Sequence, residues 1–223
     1  LYSAMEDFKI DVPIDTGMHA KTITLPLPPF TLIGATTRAG LVGGPMRSRF
    51  GITHNLEFYG HAELLKILTR SAGLIGLGEG DVEDALSVVA ERCRGTPRIA
   101  NRLLRRVRDY AQVKGGGTLT VAMVDEALRL EGVDAQGLDE LDRRYLRAIG
   151  EVYEGGPVGL EAVAATLGED AGTLEEMAEP YLLQLGLVAR TRQGRRLTAA
   201  GAEVAGVTLA APADASAELF DGE

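Results

Sequence analysis

Gly186-Leu187-Val188-Ala189-Arg190-Thr191-Arg192-Gln193-Gly194-Arg195-Arg196-Leu197 opens on a Gly-bounded apolar strand and folds back at a Gln193-Gly194 turn. Three apolar stripes at helical spacing precede it: Leu138, Leu141, Tyr145 and Ile149; Leu160, Val163 and Leu167; Leu174, Met177, Tyr181 and Leu182. Three helices followed by a two-stranded ribbon make the pattern of a winged helix. The ribbon tip is densely cationic, with Arg190, Arg192, Arg195 and Arg196.

Upstream, Gly132 to Gly137 reads as a linker, and four more helical stripes lie before it. They are Leu64, Leu65 and Leu68; Val82, Ala85, Leu86 and Val89; Ile99, Leu103, Leu104, Val107 and Tyr110; and Val121, Val124, Ala127 and Leu128. Nearer the start the period is two. Ile10, Val12 and Ile14 alternate with polar residues, as do Ile23, Leu25 and Leu27, with Asp15-Thr16-Gly17 between them, which is a hairpin with one apolar face. Phe30-Thr31-Leu32-Ile33-Gly34 has the composition of a buried strand, and Leu56 and Phe58 suggest another. Leu1 to Phe8 reads as the end of a helix already under way, so the chain is expected to be a C-terminal piece of a longer protein. Past Gly201 the Ala-rich acidic segment lacks apolar bulk and is expected to be disordered.

The whole chain has 223 residues, Lys+Arg 23 and Asp+Glu 32, for a net charge of −9. Such a charge repels polyanions at long range, but its distribution matters more within a Debye length of about 8–10 Å. Seven arginines and no acid lie between Arg92 and Arg108, four arginines and no acid between Tyr181 and Gly201, and five acids with no base from Ala202 onward. Cys93 is the only cysteine, so no internal disulfide can form, which suits a cytoplasmic protein. No apolar run reaches the roughly 18–20 residues of a membrane helix, and no secretion signal opens the chain. His19, His54, His61 and Cys93 lack metal-ligand spacing.

Chemistry is expected at three places. Thr96-Pro97-Arg98 pairs an N-cap with a helix-starting proline and sets an arginine at the positive end of the helix dipole, where phosphate is attracted; a capped structural helix with a solvated arginine fits the spacing equally well. Ala35-Thr36-Thr37-Arg38 follows an apolar strand, so either threonine could orient a water or phosphate oxygen, or cap a turn. Ser48-Arg49-Phe50-Gly51 puts an arginine beside an apolar anchor.

Several of these segments closely resemble the bacterial RuvB family: Thr31 to Arg38, Arg47 to Ile52, Gly95 to Arg102, Gly155 to Leu160 and Glu179 to Leu182. The resemblance implies an α/β remnant of a AAA+ large domain (1–58, with a partner-binding hairpin at about 8–28), an all-α helical lid (59–131), a winged-helix C-terminal domain (132–201) and an acidic tail (202–223). It implies an ATP-driven motor of Holliday-junction branch migration, a DNA helicase working as a hexameric ring with RuvA on double-stranded DNA. By the same resemblance Thr37 is the first sensor of the γ-phosphate, Arg49 an arginine finger acting in trans, Arg98 the second sensor and Tyr59 a nucleotide-packing residue. Ile10, Val12, Ile14, Ile23, Leu25 and Leu27 dock RuvA, and Arg190 and Arg195, with Arg192 and Arg196 beside them, contact the DNA backbone. Arg192 departs from the family pattern, in which many relatives carry proline. The cofactor implied is ATP with magnesium, the metal's ligands lying upstream of Leu1. No G-x-x-x-x-G-K-[ST] loop occurs in the 223 residues, so this piece alone is expected not to hydrolyse ATP. Two other readings are a non-enzymatic winged-helix regulator and a different ring ATPase such as a clamp loader. The first predicts base-reading residues on Thr173 to Gln184, which is instead acidic; the second shares a sensor Thr and an Arg finger but not the wing arginines.

Overall fold

A computed structural model describes residues 1–13, 22–77 and 82–209. The chain divides into two compact units, Leu1–Glu57 and Phe58–Glu223.

In the first unit a short helix α1 (Tyr2–Glu6) leads into an antiparallel ribbon of β1 (Lys9–Pro13) and β2 (Thr22–Pro26). Ile10 pairs with Leu25 and Val12 with Ile23, so the alternation read from the sequence does put four apolar side chains on one face. All four are exposed by 41–49%. The other face carries a Thr24 hydroxyl donating to Asp11 at 2.6 Å. Leu27 follows β2 and is half-buried; Ile14 and the Asp15-Thr16-Gly17 turn lie outside the described residues. The strands expected at Phe30–Gly34 and around Leu56 are absent: both stretches are irregular and exposed, with Ile33 at 88% and Leu56 at 91%. A strand needs a neighbour for its backbone groups, and among the described residues none lies beside them. A single turn of helix, α2 (Gly44–Arg47), carries the chain to Arg49.

In the second unit, α3 (His61–Leu74), α4 (Val82–Glu91), α5 (Pro97–Lys114) and α6 (Val121–Leu130) form the four-helix body that the periodicity predicted. Leu68, Val89, Leu104, Val107, Val124 and Leu128 are all at 0–1% exposure in one core. Caps fix the ends. Glu63 accepts from the Gly60 N–H at 2.9 Å ahead of α3, and Thr120 accepts from Met123 N–H at 3.3 Å to start α6.

The winged part begins with α7 (Glu140–Arg147), which widens into a π turn at Ala148–Val152, and continues through α8 (Leu160–Leu167). The single helix expected over Thr173–Gln184 is broken into α9 (Ala171–Thr173), a π turn at Leu174–Ala178, and α10 (Glu179–Gln184). Pro180 explains the break, since it has no N–H for the regular ladder and the turn before it must widen. The ribbon follows as β3 (Val188–Thr191) and β4 (Gly194–Leu197). Val158 pairs with Arg195 through bonds of 2.9 and 2.7 Å, fastening the wing to the head. Order extends past Gly201. Helix α11 (Ala199–Ala205), capped by Thr198, buries Ala202, so the acidic tail does not begin at 202; residues 210–223 lie outside the described residues. Small side chains suffice there because Gly201 lies almost on the Leu187 backbone. Among the described residues no helix is long and apolar enough to cross a membrane.

Candidate functional site

The two threonines after Ala35 separate in role. Thr36 Oγ1 accepts from the Arg38 N–H at 3.0 Å, closing a local turn. The exposed Thr37 hydroxyl makes no hydrogen bond among the described residues. In the same unit, Arg49 is folded back on α1. Its Nη2 lies 2.7 Å from Glu6, its Nη1 donates to the Pro45 carbonyl at 2.5 Å, and its guanidinium sits 4.6 Å over the Tyr2 ring. Nε is buried and has no hydrogen-bond partner among the described residues. A buried donor without an acceptor costs about 1–3 kcal/mol, so this folded-back arrangement of Arg49 is not fully satisfied.

Tyr59 and Arg98 share one corner of the four-helix body. The Tyr59 N–H donates to the Gly95 carbonyl at 2.9 Å, three residues before Arg98 in the first turn of α5. Gly95 is obligatory there: its φ is +65°, and an added Cβ would lie 2.7 Å from Phe58. Thr96 occupies the N-cap position but does not cap. Its hydroxyl donates to the Arg94 carbonyl at 3.2 Å instead of accepting from the helix. Arg94 takes a φ of 57°, and that left-handed turn brings its carbonyl within the threonine's reach. The first N–H groups of α5 therefore lack their expected side-chain acceptor beside the exposed Arg98.

Arg94 also joins the four-helix body to the head. Its Nη2 lies 2.6 Å from Asp142 and 2.8 Å from Asp139, its Nε donates to the Gly137 carbonyl at 3.0 Å, and its guanidinium lies 5.1 Å over the Tyr181 ring. Asp142 is fully buried and its Oδ1 has no partner. Burial outweighs the Asp139 N–H bond and the Arg94 charge, and its carboxyl is pushed up to about 6 from 3.8. The folded chain thus takes up this proton near pH 6, whereas the unfolded chain waits until about 4. Folding stability is therefore expected to rise as pH falls from 7 to 5. Thermal unfolding of Asp142→Asn over that range should lack the rise, and an identical profile in both proteins would refute it.

On the wing, the four arginines separate by side. Arg190 pairs with Arg195 across the ribbon, on the same face as the buried Val188 and Leu197. That face turns toward the head. Arg196 shares the opposite face with Ala189, and Arg192 is in the turn; both are exposed and make no ion pair among the described residues. The inward pair converges on Glu179, which is fully buried. Arg195 Nε donates to Glu179 Oε1 at 2.7 Å and its Nη2 to Oε2 at 3.3 Å. Arg190 donates to Oε2 through Nε at 2.9 Å and through Nη2. Tyr145 Oη adds a bond to Oε1 at 2.5 Å. Burial pushes the Glu179 carboxyl up, but the bonds from Arg195, Tyr145 and Arg190 outweigh it and hold the group below the usual glutamate value. Burial and the Glu179 bond push the Tyr145 phenol up, so it stays a donor. The sequence reading missed Glu179, Tyr145, Arg94 and Asp142. One signal was available for Glu179, an acid one residue from Ala178 and three from Leu182 on the apolar stripe of its helix.

Comparison with known proteins accounts for residues 1–206 almost without a gap. Residues 1–56 match the family model described as the Holliday junction DNA helicase RuvB P-loop domain, residues 59–134 the RuvB AAA lid domain, and residues 135–206 the RuvB C-terminal winged helix domain. Among solved structures, the Thermotoga maritima RuvB Holliday junction branch migration motor is 44% identical over 94% of this chain and 64% of its own, with a TM-score of 0.80. Two mutants of that protein match at 44% identity over 94% of this chain and 65% of theirs, with TM-scores of 0.81 and 0.82. The chain thus spans about two thirds of the length of these relatives, just under it in each case.

Proposed function

Since the chain belongs to the RuvB family, we propose that it is the part of an ATP-driven DNA motor that senses nucleotide and holds duplex DNA during Holliday-junction branch migration. The observation that carries this reading is the pairing of two guanidinium stations within one compact unit, Phe58–Glu223: the Tyr59–Arg98 corner and the arginine wing. In a hexameric ring the P-loop of each subunit supplies the phosphate cradle and the magnesium ligands. Bound ATP with magnesium supplies a γ-phosphoryl group whose transfer builds up negative charge. The residues present fit a triphosphate. Arg49 is held by a half-exposed Glu6 that a phosphate could replace, Arg98 is exposed at the start of an 18-residue helix, and Tyr59 lies beside it. By the family resemblance, Thr37 would face the γ-phosphate, Arg98 would sense it, Arg49 would reach a neighbouring subunit's nucleotide, and Tyr59 would pack on the base. In such chemistry the protein mostly positions groups and neutralises charge. The exposed apolar face of the β1–β2 ribbon, Ile10, Val12, Ile23 and Leu25 with Leu27 beside it, suits docking of RuvA. The assembly works in the cytoplasm.

Phosphate contact makes DNA binding largely independent of sequence. Glu175 and Met177 are exposed on the segment that a major-groove reader would present, which disfavours base readout. The clean test uses Arg192 and Arg196, which make no ion pair among the described residues. Arg192→Ala with Arg196→Ala is expected to weaken binding of the 223-residue chain to unrelated duplexes alike, and to lower the magnitude of its salt slope by roughly 1.8. A loss confined to one sequence would instead support a regulator.

A further inference from the structure

Resting on the proposed DNA role of the wing, we infer that Glu179 is a positioning residue: it grips Arg190 and Arg195 by their inner edges and so presents their outer nitrogens to the DNA backbone.

The ribbon register makes such a device necessary. Arg190 and Arg195 are directly opposite on one face, and like charges so placed repel. Left alone, two long side chains would splay apart into many rotamers. Between them stands one carboxylate with no exposed surface. Both guanidinium groups meet it in the same way, through Nε and Nη2. Nη1 of each makes no hydrogen bond among the described residues, and the Arg190 side chain remains 45% exposed. Arginine can do this because its donors lie in a rigid planar fork, so one edge binds inward while the far nitrogen still points away. Lysine has a single charged nitrogen and can serve only one of the two sides.

The carboxylate is itself held from below by Tyr145, whose hydroxyl donates to Oε1. It belongs to the turn that Pro180 forces, since Glu179 is the first residue of α10 after the π turn. Glu175 lies 3.9 Å from Arg190 Nη2 as a second carboxylate, so the two cations face two anions, and the excess positive charge nearby comes from Arg192 and Arg196. The other role open to Glu179 is neutralisation, in which it subtracts charge from the DNA face. The two roles predict opposite signs. Removing a neutralising carboxylate strengthens attraction for phosphate. Removing a positioning carboxylate frees two side chains that must then be ordered on binding, at a cost equivalent to roughly 10-fold in affinity.

The test measures duplex affinity of the full 223-residue chain, well below its unfolding temperature, with circular dichroism as the check on folding. Glu179→Gln keeps the shape and one acceptor. Positioning predicts that its dissociation constant rises roughly 10-fold although the protein has become more positive. Unchanged or tighter binding overturns the inference. Arg190→Lys with Arg195→Lys preserves every charge and decides the matter should the glutamine variant fail to fold. Its affinity is also expected to fall roughly 10-fold, and wild-type affinity overturns the inference. The Arg192→Ala, Arg196→Ala variant separates the two ideas. If it and the glutamine and lysine variants all leave binding intact, the DNA reading of the wing fails; if it weakens binding while the glutamine and lysine variants do not, only the positioning role fails.

Discussion

Arg49→Ala is expected to lower ATP turnover by roughly 10³–10⁵-fold while leaving nucleotide affinity nearly intact, when this segment is joined to the P-loop part of its relatives' chains. The size follows from what an arginine supplied across a subunit boundary does: it stabilises charge that exists only during transfer, so its loss falls on turnover and not on binding. The resting geometry allows it. Arg49 is held by Glu6, whose side chain is 54% exposed, and by the Pro45 carbonyl and the Tyr2 ring. A half-exposed ion pair contributes at most about 1 kcal/mol, which a triphosphate readily replaces. Arg49→Lys should recover little, because one ammonium cannot reproduce the planar fork. The measurement is steady-state ATP hydrolysis beside equilibrium binding of a fluorescent ATP analogue. Loss of nucleotide binding as the main defect would contradict the in-trans role.

The second large effect concerns the wing's attachment. Gly194→Ala is expected to destabilise the head by about 2–6 kcal/mol, the sum of backbone strain and overpacking. Gly194 has a φ of +136°, and an added Cβ would lie 2.3 Å from the Val158 oxygen and 2.6 Å from its carbonyl carbon. Those are backbone atoms of the strand-like segment that pairs with Arg195, so neither can yield without breaking the bonds of 2.9 and 2.7 Å that fasten the ribbon. The unfolding midpoint of the head should fall by roughly 10 °C or more. Gly159→Ala is the control. With a φ of −70° and nothing within 4 Å of the added carbon, it should cost only the difference between Gly and Ala as the N-cap of α8, about 1 kcal/mol or less. Equal effects at the two glycines would show that the close approach does not govern stability.

The helices were legible because each carries its own evidence, an apolar stripe that packs in one core. The β1–β2 ribbon was legible for the same reason at period two, and the wing from its apolar strand and Gln193-Gly194 turn. Phe30–Gly34 was not, because a strand is a relation between segments and its composition names no partner. Thr96 looked like a cap because threonine before proline often is one, yet the left-handed turn at Arg94 supplied a nearer acceptor. The four wing arginines could be counted in the sequence but were not sorted by side. Their parity with Val188 and Leu197 already held that information. Glu179 was harder, since its partners Arg190 and Arg195 are 11 and 16 residues away and Tyr145 is 34. Only a three-dimensional arrangement tells a buried acid with three donors from one on a solvated helix face.

The junction at Arg94 bears on how such a machine transmits force. A single guanidinium ties the turn that precedes Arg98 to Asp139, Asp142 and the Gly137 carbonyl at the root of the head. Four residues along the chain from that rivet lies the side chain proposed to feel ATP. In the proposed motor these contacts would let the four-helix body and the head move as one lever arm, its short end at the triphosphate and its long end on the duplex, with the stroke at the DNA set by the ratio of those lengths.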